Sequence, residues 1–501
     1  MESENLRALT VEEFHDRLQR GELTIEAVVS AYLDRIEQYD EAEPELNAIL
    51  TINEAAIDRA RELDDQLDGG IDKTKKPLYG VPVVLKDQAM TAGVRTTFGS
   101  VAFADYVPTE SATIVEWLED AGAIILAKTN LPDFAAGFVG YSSAGGQTRN
   151  PYNPTRDSGG SSAGTAAAVA ADFAMVGIGE DTGGSIRVPA SFCNLFGLRV
   201  TTGLISRTGM SPLVAEQDTP GPMCRSVDDL ARLLDVIVGF DPADEATAIH
   251  AEWSADKLFV DALDETSLQG ARIGVLRSAF GDGDEPRVTA VNSVVQEALD
   301  TLETAGATLV DPVEIPELET LLADTSLYGL VAKRDLTRFF DGLADSPVES
   351  FQEIYEQGAY HEALEHIETI AAAPEDPTAD REYWWRLARQ QAFKKAIEYT
   401  LAENDLEALV FSDVQVVPPK FEGYHTGELT RADVPTNTFI ASQSGCPAIS
   451  MPAGFTDDGL PIGLELLGAP LSDRRLVALA AGYEAVAEPR QSPPVDGSDN
   501  S

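Results

Sequence analysis

Between residues 78 and 240 short apolar runs alternate with helical and glycine-rich stretches, which restricts the chain to a small set of folds. Tyr79-Gly-Val-Pro-Val-Val-Leu85 and Ala123-Ile-Ile-Leu-Ala127 have the length and composition of strands, with a helix expected between them through Ile114–Asp120. A third apolar run, Phe173–Ile178, leads into a glycine-rich turn. Strand, helix, strand and turn in succession place the chain in the α/β class. Arg272-Ile-Gly-Val-Leu276 reads as another strand and Val288–Ala305 as a helix. Residues 318–405 read as mostly helical and strongly charged, with Ala371–Asp380 as a loop, and 408–480 return to strand and turn.

Ahead of this core the first 70 residues read as helical. Thr24 is a good N-cap, and Ile25, Val28, Val29, Tyr32, Leu33 and Ile36 recur at helical spacing behind it. The length of 501 residues allows about three domains, or one large domain with insertions. The second is expected: a helical segment 1–70 packed on the core, a single domain 71–490 with a divergent helical insertion at about 318–405, and a frayed tail 491–501. There is no internal repeat.

Charge bounds the partners. Asp and Glu number 84 against 36 Lys and Arg, a formal net charge of −48, and of the basic residues only 10 are Lys. A nucleic-acid binder needs a positive footprint, and an anionic membrane repels such a chain, so neither partner is expected. With 44% hydrophobic residues the chain still has a core to bury. The repulsion among so many carboxylates is screened at about 1 M salt, where the Debye length is about 3 Å. The acid excess and scarce lysine resemble proteins of salt-accumulating halophiles. Cys193, Cys224 and Cys446 show no metal or disulfide spacing, the N-terminus MESENLRALTVEEF shows no signal peptide, and no apolar run reaches spanning length. A reducing cytoplasm is therefore the expected compartment.

Two segments concentrate glycine and serine: Asp157-Ser-Gly-Gly-Ser-Ser-Ala-Gly-Thr165 and Gly179-Glu-Asp-Thr-Gly-Gly-Ser-Ile-Arg187. Such turns bring backbone N–H groups close to an anion. Neither has the lysine of a phosphate-binding P-loop, and no GxGxxG follows a strand, so a nucleotide cofactor is not expected. What remains is an oxyanion hole, with Ser185 beside it as nucleophile. Serine needs a base. None of the five histidines lies near these segments in sequence, and GGSIR is not a GxSxG elbow. Lys86, at the end of an apolar run, is the other candidate: burial there would lower its pKa towards neutrality. Its local sequence favours instead an ion pair with a carboxylate such as Asp87.

Taken together, these segments resemble the amidase signature family of Ser-cis-Ser-Lys hydrolases. The matching stretches are GVPVVLKDQAMTAGVRTTFGS, GAIILAKTNLPDFAAG, RNPYNPTRDSGGSSAGTAAAVAA, GEDTGGSIRVPASFCNLFGLRVTTGLISRTG, QDTPGPMCRSVDDLARLLDVIVGFDPAD and SGCPAISMPAGFTDDGLPIGLELLG. The resemblance is strong over about 75–245 and 433–485, weaker in the N-terminal helices and nearly absent in the middle. It implies a large mixed twisted β-sheet flanked by many helices. It also implies Ser185 as the acyl-forming nucleophile, Ser161 as the bridging serine behind a cis Gly160–Ser161 peptide, Lys86 as the base, and Thr182, Gly183, Gly184 and Ser185 as the oxyanion hole. The usual GGSSGG reads GGSSAG here, with Ala163 at a small-residue position.

The function so implied is hydrolysis of a small or peptidyl carboxamide to acid and ammonia or amine, with no metal or organic cofactor. The alternative is the A subunit of a glutamyl-tRNA(Gln) amidotransferase, which frees ammonia from glutamine for a partner; the segments LPDFAAG and GLISRTGMSPLVAEQDTPGP favour the free amidases. An inactive scaffold is a minor third reading, opposed by intact Lys86, Ser161 and Ser185. Oligomeric state is not set, and a homodimer is left open. Ser162 is expected to cap the following helix, and Asp181 and Arg187 to brace the loop. His361 and His366, five apart, would not share one helix face as a metal pair. Tyr328, Lys333 and Arg334 are expected on a solvated helix face, and Ala166–Ala171 to pack closely.

Overall fold

The computed structural model describes residues 9–42, 44–67, 70–253, 257–487 and 490–495. The expectations for the extreme N-terminus (1–8) and for the last residues of the tail (496–501) lie outside the described residues. Eleven strands among them form one mixed sheet: β1 (Ile49–Ile52), β2 (Pro82–Lys86), β3 (Ile124–Thr129), β4 (Val176–Glu180), β5 (Phe196–Arg199), β6 (Pro220–Cys224), β7 (Arg272–Val275), β8 (Thr308–Val310), β9 (Ala408–Ser412), β10 (Ala448–Phe455) and β11 (Pro461–Leu467). Their spatial order is β1-β3-β2-β4-β6-β5-β10-β11-β9-β7-β8.

β2 lies parallel between β3 and β4, and β7 parallel between β8 and β9, whereas the pairings through β6, β5, β10 and β11 are antiparallel. β2, β3 and β4 are buried along their whole length. This is why they read as unbroken apolar runs rather than alternating ones: helices cover both faces of a parallel sheet. The helix Ala163–Ala170 is also wholly buried. Its glycine and alanines let it sit tightly: a Cβ on Gly164 would collide with the backbone of Ala48 and Asn130. That contact presses the Ser161–Ser162 turn against the ends of β2 and β4.

In the N-terminal segment Thr10 and Thr24 cap helices Val11–Gln19 and Ile25–Tyr39, their hydroxyls accepting the N–H groups of Glu13 (3.2 Å) and Ala27 (3.1 Å). The helical reading of the first 70 residues misses β1, which pairs antiparallel with β3 at the sheet edge. It is set there by Asp40, whose carboxylate accepts the N–H groups of Ala48 (2.6 Å) and Ile49 (3.1 Å).

The middle region is helical: Leu318–Thr325, Tyr328–Gly342, Phe351–Gln357, Glu365–Ala372 and Arg381–Glu403, with one short turn, Pro377–Ala379, in the loop before the last. Tyr328–Gly342 and Phe351–Gln357 pack on residues 98–141 through aromatic rings, Phe134 lying 5.5 Å from Phe340 and 5.9 Å from Phe351. Edge-on pairs of this kind contribute about 0.5–1.5 kcal/mol each beyond their buried area. Cys193, Cys224 and Cys446 are buried free thiols. No helix among the described residues is long and apolar enough to cross a membrane.

Candidate active site

Because β2 and β4 run parallel and in register, Leu85 opposite Ile178, their C-terminal ends bring Lys86 and Glu180 side by side. Lys86 Nζ lies 2.8 Å from Ser161 Oγ, 3.1 Å from the Glu180 carbonyl oxygen and 3.3 Å from Glu180 Oε2. Lys86 and Ser161 have no solvent exposure. Burial pulls the Lys86 ammonium below its ordinary pKa, with the neighbouring Glu180 carboxylate opposing. Burial likewise pushes Glu180 up to about 7, against the pull of Lys86. The pairing with Asp87 does not occur. Asp87 Oδ1 instead takes Lys128 Nζ at 2.9 Å, and its Oδ2 accepts both the N–H and the hydroxyl of Thr97 at 2.7 Å. Neighbours along extended backbone point to opposite faces, so Lys86 and Asp87 turn away from each other.

Gly160–Ser161 is a cis peptide. Ser162 stands at the N-cap position of the following helix as expected, but its hydroxyl caps no helix N–H: it lies 3.2 Å from both the N–H and the carbonyl oxygen of Glu180. Its own N–H donates to the Ser185 carbonyl at 3.1 Å. Ser162 thus ties the two Gly/Ser segments together, backbone to backbone.

Asp181 organises the turn that carries Ser185. Its carboxylate accepts the N–H groups of Gly184 (2.8 Å) and Ile186 (3.2 Å) and pairs with Arg187 and Arg199, both at 3.1 Å. Burial would raise this carboxyl, but the two guanidiniums hold it at about 2. Arg187 reaches on to Glu465 in β11 at 2.6 Å. The expected bracing by Asp181 and Arg187 is thereby given a geometry. It also removes Gly184 from the expected oxyanion-hole set, since its N–H is spent on Asp181. The N–H groups of Thr182, Gly183 and Ser185 make no hydrogen bond among the described residues, while the carbonyls of Thr182 and Gly183 accept from Gln217 Nε2 (3.0 Å) and Thr438 Oγ1 (2.7 Å). Ser185 itself is 3% exposed, the one member of the Lys86, Ser161, Ser185 set that solvent reaches.

A cavity of about 240 Å³ adjoins this turn, with Phe138, Val139, Leu364, His366, Leu429 and Arg431 in its walls. Phe138 and Val139 touch the site directly, because a Cβ on Gly160 would meet their backbone at 2.6–2.8 Å and one on Gly183 would meet Phe138 Cζ at 3.3 Å. The Arg431 guanidinium lies over the rings of Phe138 (5.4 Å) and Phe439 (4.9 Å) and 3.0 Å from His366 Nε2. Burial, then the Arg431 charge, lowers His366 to about 4, so its ring is a neutral acceptor for Arg431. His361 packs instead at a tilt against Tyr141 and His425, at 4.5 and 5.6 Å between ring centres.

The solvated helix face expected for Tyr328, Lys333 and Arg334 is corrected. Lys333 and Arg334 are buried, the first 2.6 Å from Glu375 and the second paired with Asp335 (2.6 Å) and Glu216 (3.1 Å). Tyr328 points at the turn that carries Ser185, its hydroxyl 2.5 Å from where a Gly183 Cβ would sit. Sequence reasoning missed Glu180, Phe138, Arg431, Thr438 and Phe439. The only signal for Glu180 was an acid at the very end of a buried apolar strand.

A match to the family described as Amidase spans residues 27–477. The A subunit of the glutamyl-tRNA(Gln) amidotransferase of Thermoanaerobacter pseudethanolicus is 34% identical over 503 aligned positions, covering 96% of each chain. Among solved structures, the peptide amidase of Stenotrophomonas maltophilia is 33% identical with a TM-score of 0.86, covering 98% of this chain and 99% of its own. The corresponding amidotransferase A subunit of Thermotoga maritima is 27% identical with a TM-score of 0.70, covering 96% and 95%.

Proposed function

The chain belongs to the amidase signature family of enzymes acting on C–N bonds, and on that premise we propose that it cleaves a carboxamide through an acyl-enzyme on Ser185. The observation that carries the reading is the 2.8 Å approach of a solvent-free Lys86 Nζ to Ser161 Oγ, on the turn held against Ser185. An uncharged Lys86 accepts the Ser161 proton while Ser161 accepts that of Ser185, whose oxygen attacks the amide carbonyl. The oxyanion gathers the unspent N–H groups of Thr182, Gly183 and Ser185. The proton returns through Ser161 to the leaving amine, which departs as ammonia or an amine. Water then takes the place of Ser185 in the same relay and releases the acid.

Two fuller readings follow from different observations. The curated relatives support a glutaminase that works as the A subunit of a glutamyl-tRNA(Gln) amidotransferase. The higher structural likeness to a peptide amidase, TM-score 0.86 against 0.70, supports a stand-alone hydrolase of peptidyl or small amides. Ammonia release by the purified chain alone, from glutamine and from C-terminally amidated dipeptides, separates them. Turnover of amidated peptides without a partner upholds the stand-alone reading. Turnover of glutamine alone, dependent on a co-purifying chain, upholds the other. A fluorophosphonate adduct on any serine but Ser185 overturns both.

A further inference from the structure

Glu180 has no part in the relay just described, yet its carboxylate is the nearest ionisable group to the base, 3.3 Å from Lys86 Nζ. Its other oxygen, Oε1, lies 3.2 Å from Thr182 Oγ1, and the same hydroxyl lies 2.6 Å from Asp218 Oδ1. A threonine hydroxyl has one proton to give. It donates to one carboxylate, and the other makes a good contact only if it brings a proton itself. Two buried carboxyls therefore compete for one hydroxyl proton, and Glu180, the more distant at 3.2 Å, is the less satisfied of the two, 3.3 Å from an amine that must lose a proton.

The surrounding charges are already committed. Asp181 is neutralised by Arg187 and Arg199. Arg207 is held by Asp244 at 2.6 Å. Asp218 accepts the N–H groups of Leu213 (2.8 Å) and Val214 (3.1 Å). Tyr328, on the opposite side of the turn, is kept in its neutral form by burial. Glu180 is thus the carboxylate in contact with Lys86 that is free to change state.

Glu180 also has its own way out. A second cavity of about 380 Å³ includes Glu180, Asp218, Gln88 and Ser211 in its walls, but neither Lys86 nor Ser185. Gln88 Oε1 and Ser211 Oγ are buried there without a hydrogen-bond partner among the described residues, acceptors suited to water.

We propose that Glu180 is a positioning residue that sets the pH at which Lys86 becomes a free base, exchanging protons with water through this second cavity. In the step, the Lys86 ammonium passes its proton to the Glu180 carboxylate, and the resulting carboxylic acid gives it to a cavity water. Lys86 is left neutral with its lone pair towards Ser161. The inference rests on the relay proposed for Ser185, and its test is chosen to tell the two apart.

The rate of fluorophosphonate labelling at Ser185 is measured against pH in wild type, Glu180→Gln and Glu180→Asp. Glutamine keeps the shape but cannot ionise, so its acid limb falls by about one pH unit or more. Aspartate restores the limb towards the wild-type position. Should Glu180→Gln fail to fold, Glu180→Ser, equally without a carboxyl, carries the same expectation. A limb unmoved by loss of the carboxyl, with labelling lowered equally at every pH, overturns the proposal. Lysine 13Cε NMR, assigned with Lys86→Arg, follows the same titration without Ser185. A Lys86 resonance that shifts with Glu180→Gln in a chain that does not label upholds Glu180 and overturns the nucleophile.

Discussion

Lys86 Nζ and Ser161 Oγ meet at 2.8 Å with no solvent on either side. Water cannot relay a proton between them, so the pair works by direct contact or not at all. Ser185→Ala is expected to lower kcat/KM by about 10⁶, and Lys86→Ala or Ser161→Ala by about 10²–10⁴. The double variant Lys86→Ala/Ser161→Ala should cost little more than either single change, because the two act as one unit. Strictly multiplicative losses would refute the direct relay.

Asp181 joins two buried guanidiniums to the nucleophile turn. Asp181→Ala takes away the carboxylate partner of the buried Arg199, leaves Arg187 with Glu465 alone, and frees the Gly184 and Ile186 amides. Breaking one partner out of a buried ion cluster costs about 3–5 kcal/mol. Chemical denaturation should show that loss, together with an activity loss at temperatures where the variant remains folded. Full activity in the folded variant would show that the turn holds its shape without Asp181.

The glycines of the turn differ in what surrounds them. Gly184 has φ +136°, and a Cβ there would fall on the Thr438 hydroxyl. Gly184→Ala is therefore expected to lower kcat by about 100-fold or more through displaced amides. Gly183→Ala would meet the Tyr328 hydroxyl at 2.5 Å, the far end of a side chain, and Phe439 at 2.9 Å. Its effect should be milder and partly relieved by Tyr328→Phe. Equal losses for both alanines, with no relief, would count against this packing.

His15 supplies a pH-dependent contribution to stability. Burial lowers its pKa from 6.5 to about 4, although the Tyr79 carbonyl 3.0 Å from Nε2 favours the charged ring. The unfolded chain takes up a proton near pH 6.5 and the folded one only near 4. The contribution is complete above pH 6.5 and is lost as pH falls through that interval, by about 3 kcal/mol in full. Unfolding free energies of wild type and His15→Gln, compared at pH 7 and pH 4, should differ by that amount. A constant difference between the two proteins would exclude it.

The charge of −48 predicts the response to salt. Raising KCl from about 0.1 M to about 1 M shortens the Debye length from about 10 to about 3 Å and screens repulsion among surface carboxylates. Tm is expected to rise across that range. A flat or falling Tm would remove salt adaptation as the reason for the acid excess.

The Gly/Ser turn was legible in the sequence because the backbone demands it: only glycine and small residues permit the turn that Asp181 holds. What escaped depends on which strands lie side by side. Lys86 and Glu180 are 94 residues apart and meet only because β2 and β4 are parallel neighbours. Asp87, one residue from Lys86, was the obvious partner in sequence and the wrong one in space. β1 was hidden because it is four residues long and half-buried at the sheet edge. Tyr328 was misread because its helix is charged, and charge on a helix says nothing about which residue begins it.

Lys86, Ser161 and Ser185 come from one stretch of 100 residues, whereas Tyr328, Leu364, His366, Arg431, Thr438 and Phe439, which overhang the nucleophile turn or the adjoining cavity, come from a later one. On the proposed reading the acyl-transfer groups all lie in the earlier stretch, whereas the cavity wall is shared, Phe138 and Val139 coming from the earlier stretch and the rest of the named lining from the later one. Drift or recombination in the later part can retune what is accepted without touching the machinery that cuts. A chimaera carrying residues 318–445 of a relative should inherit that relative's appetite and keep this chain's catalytic engine.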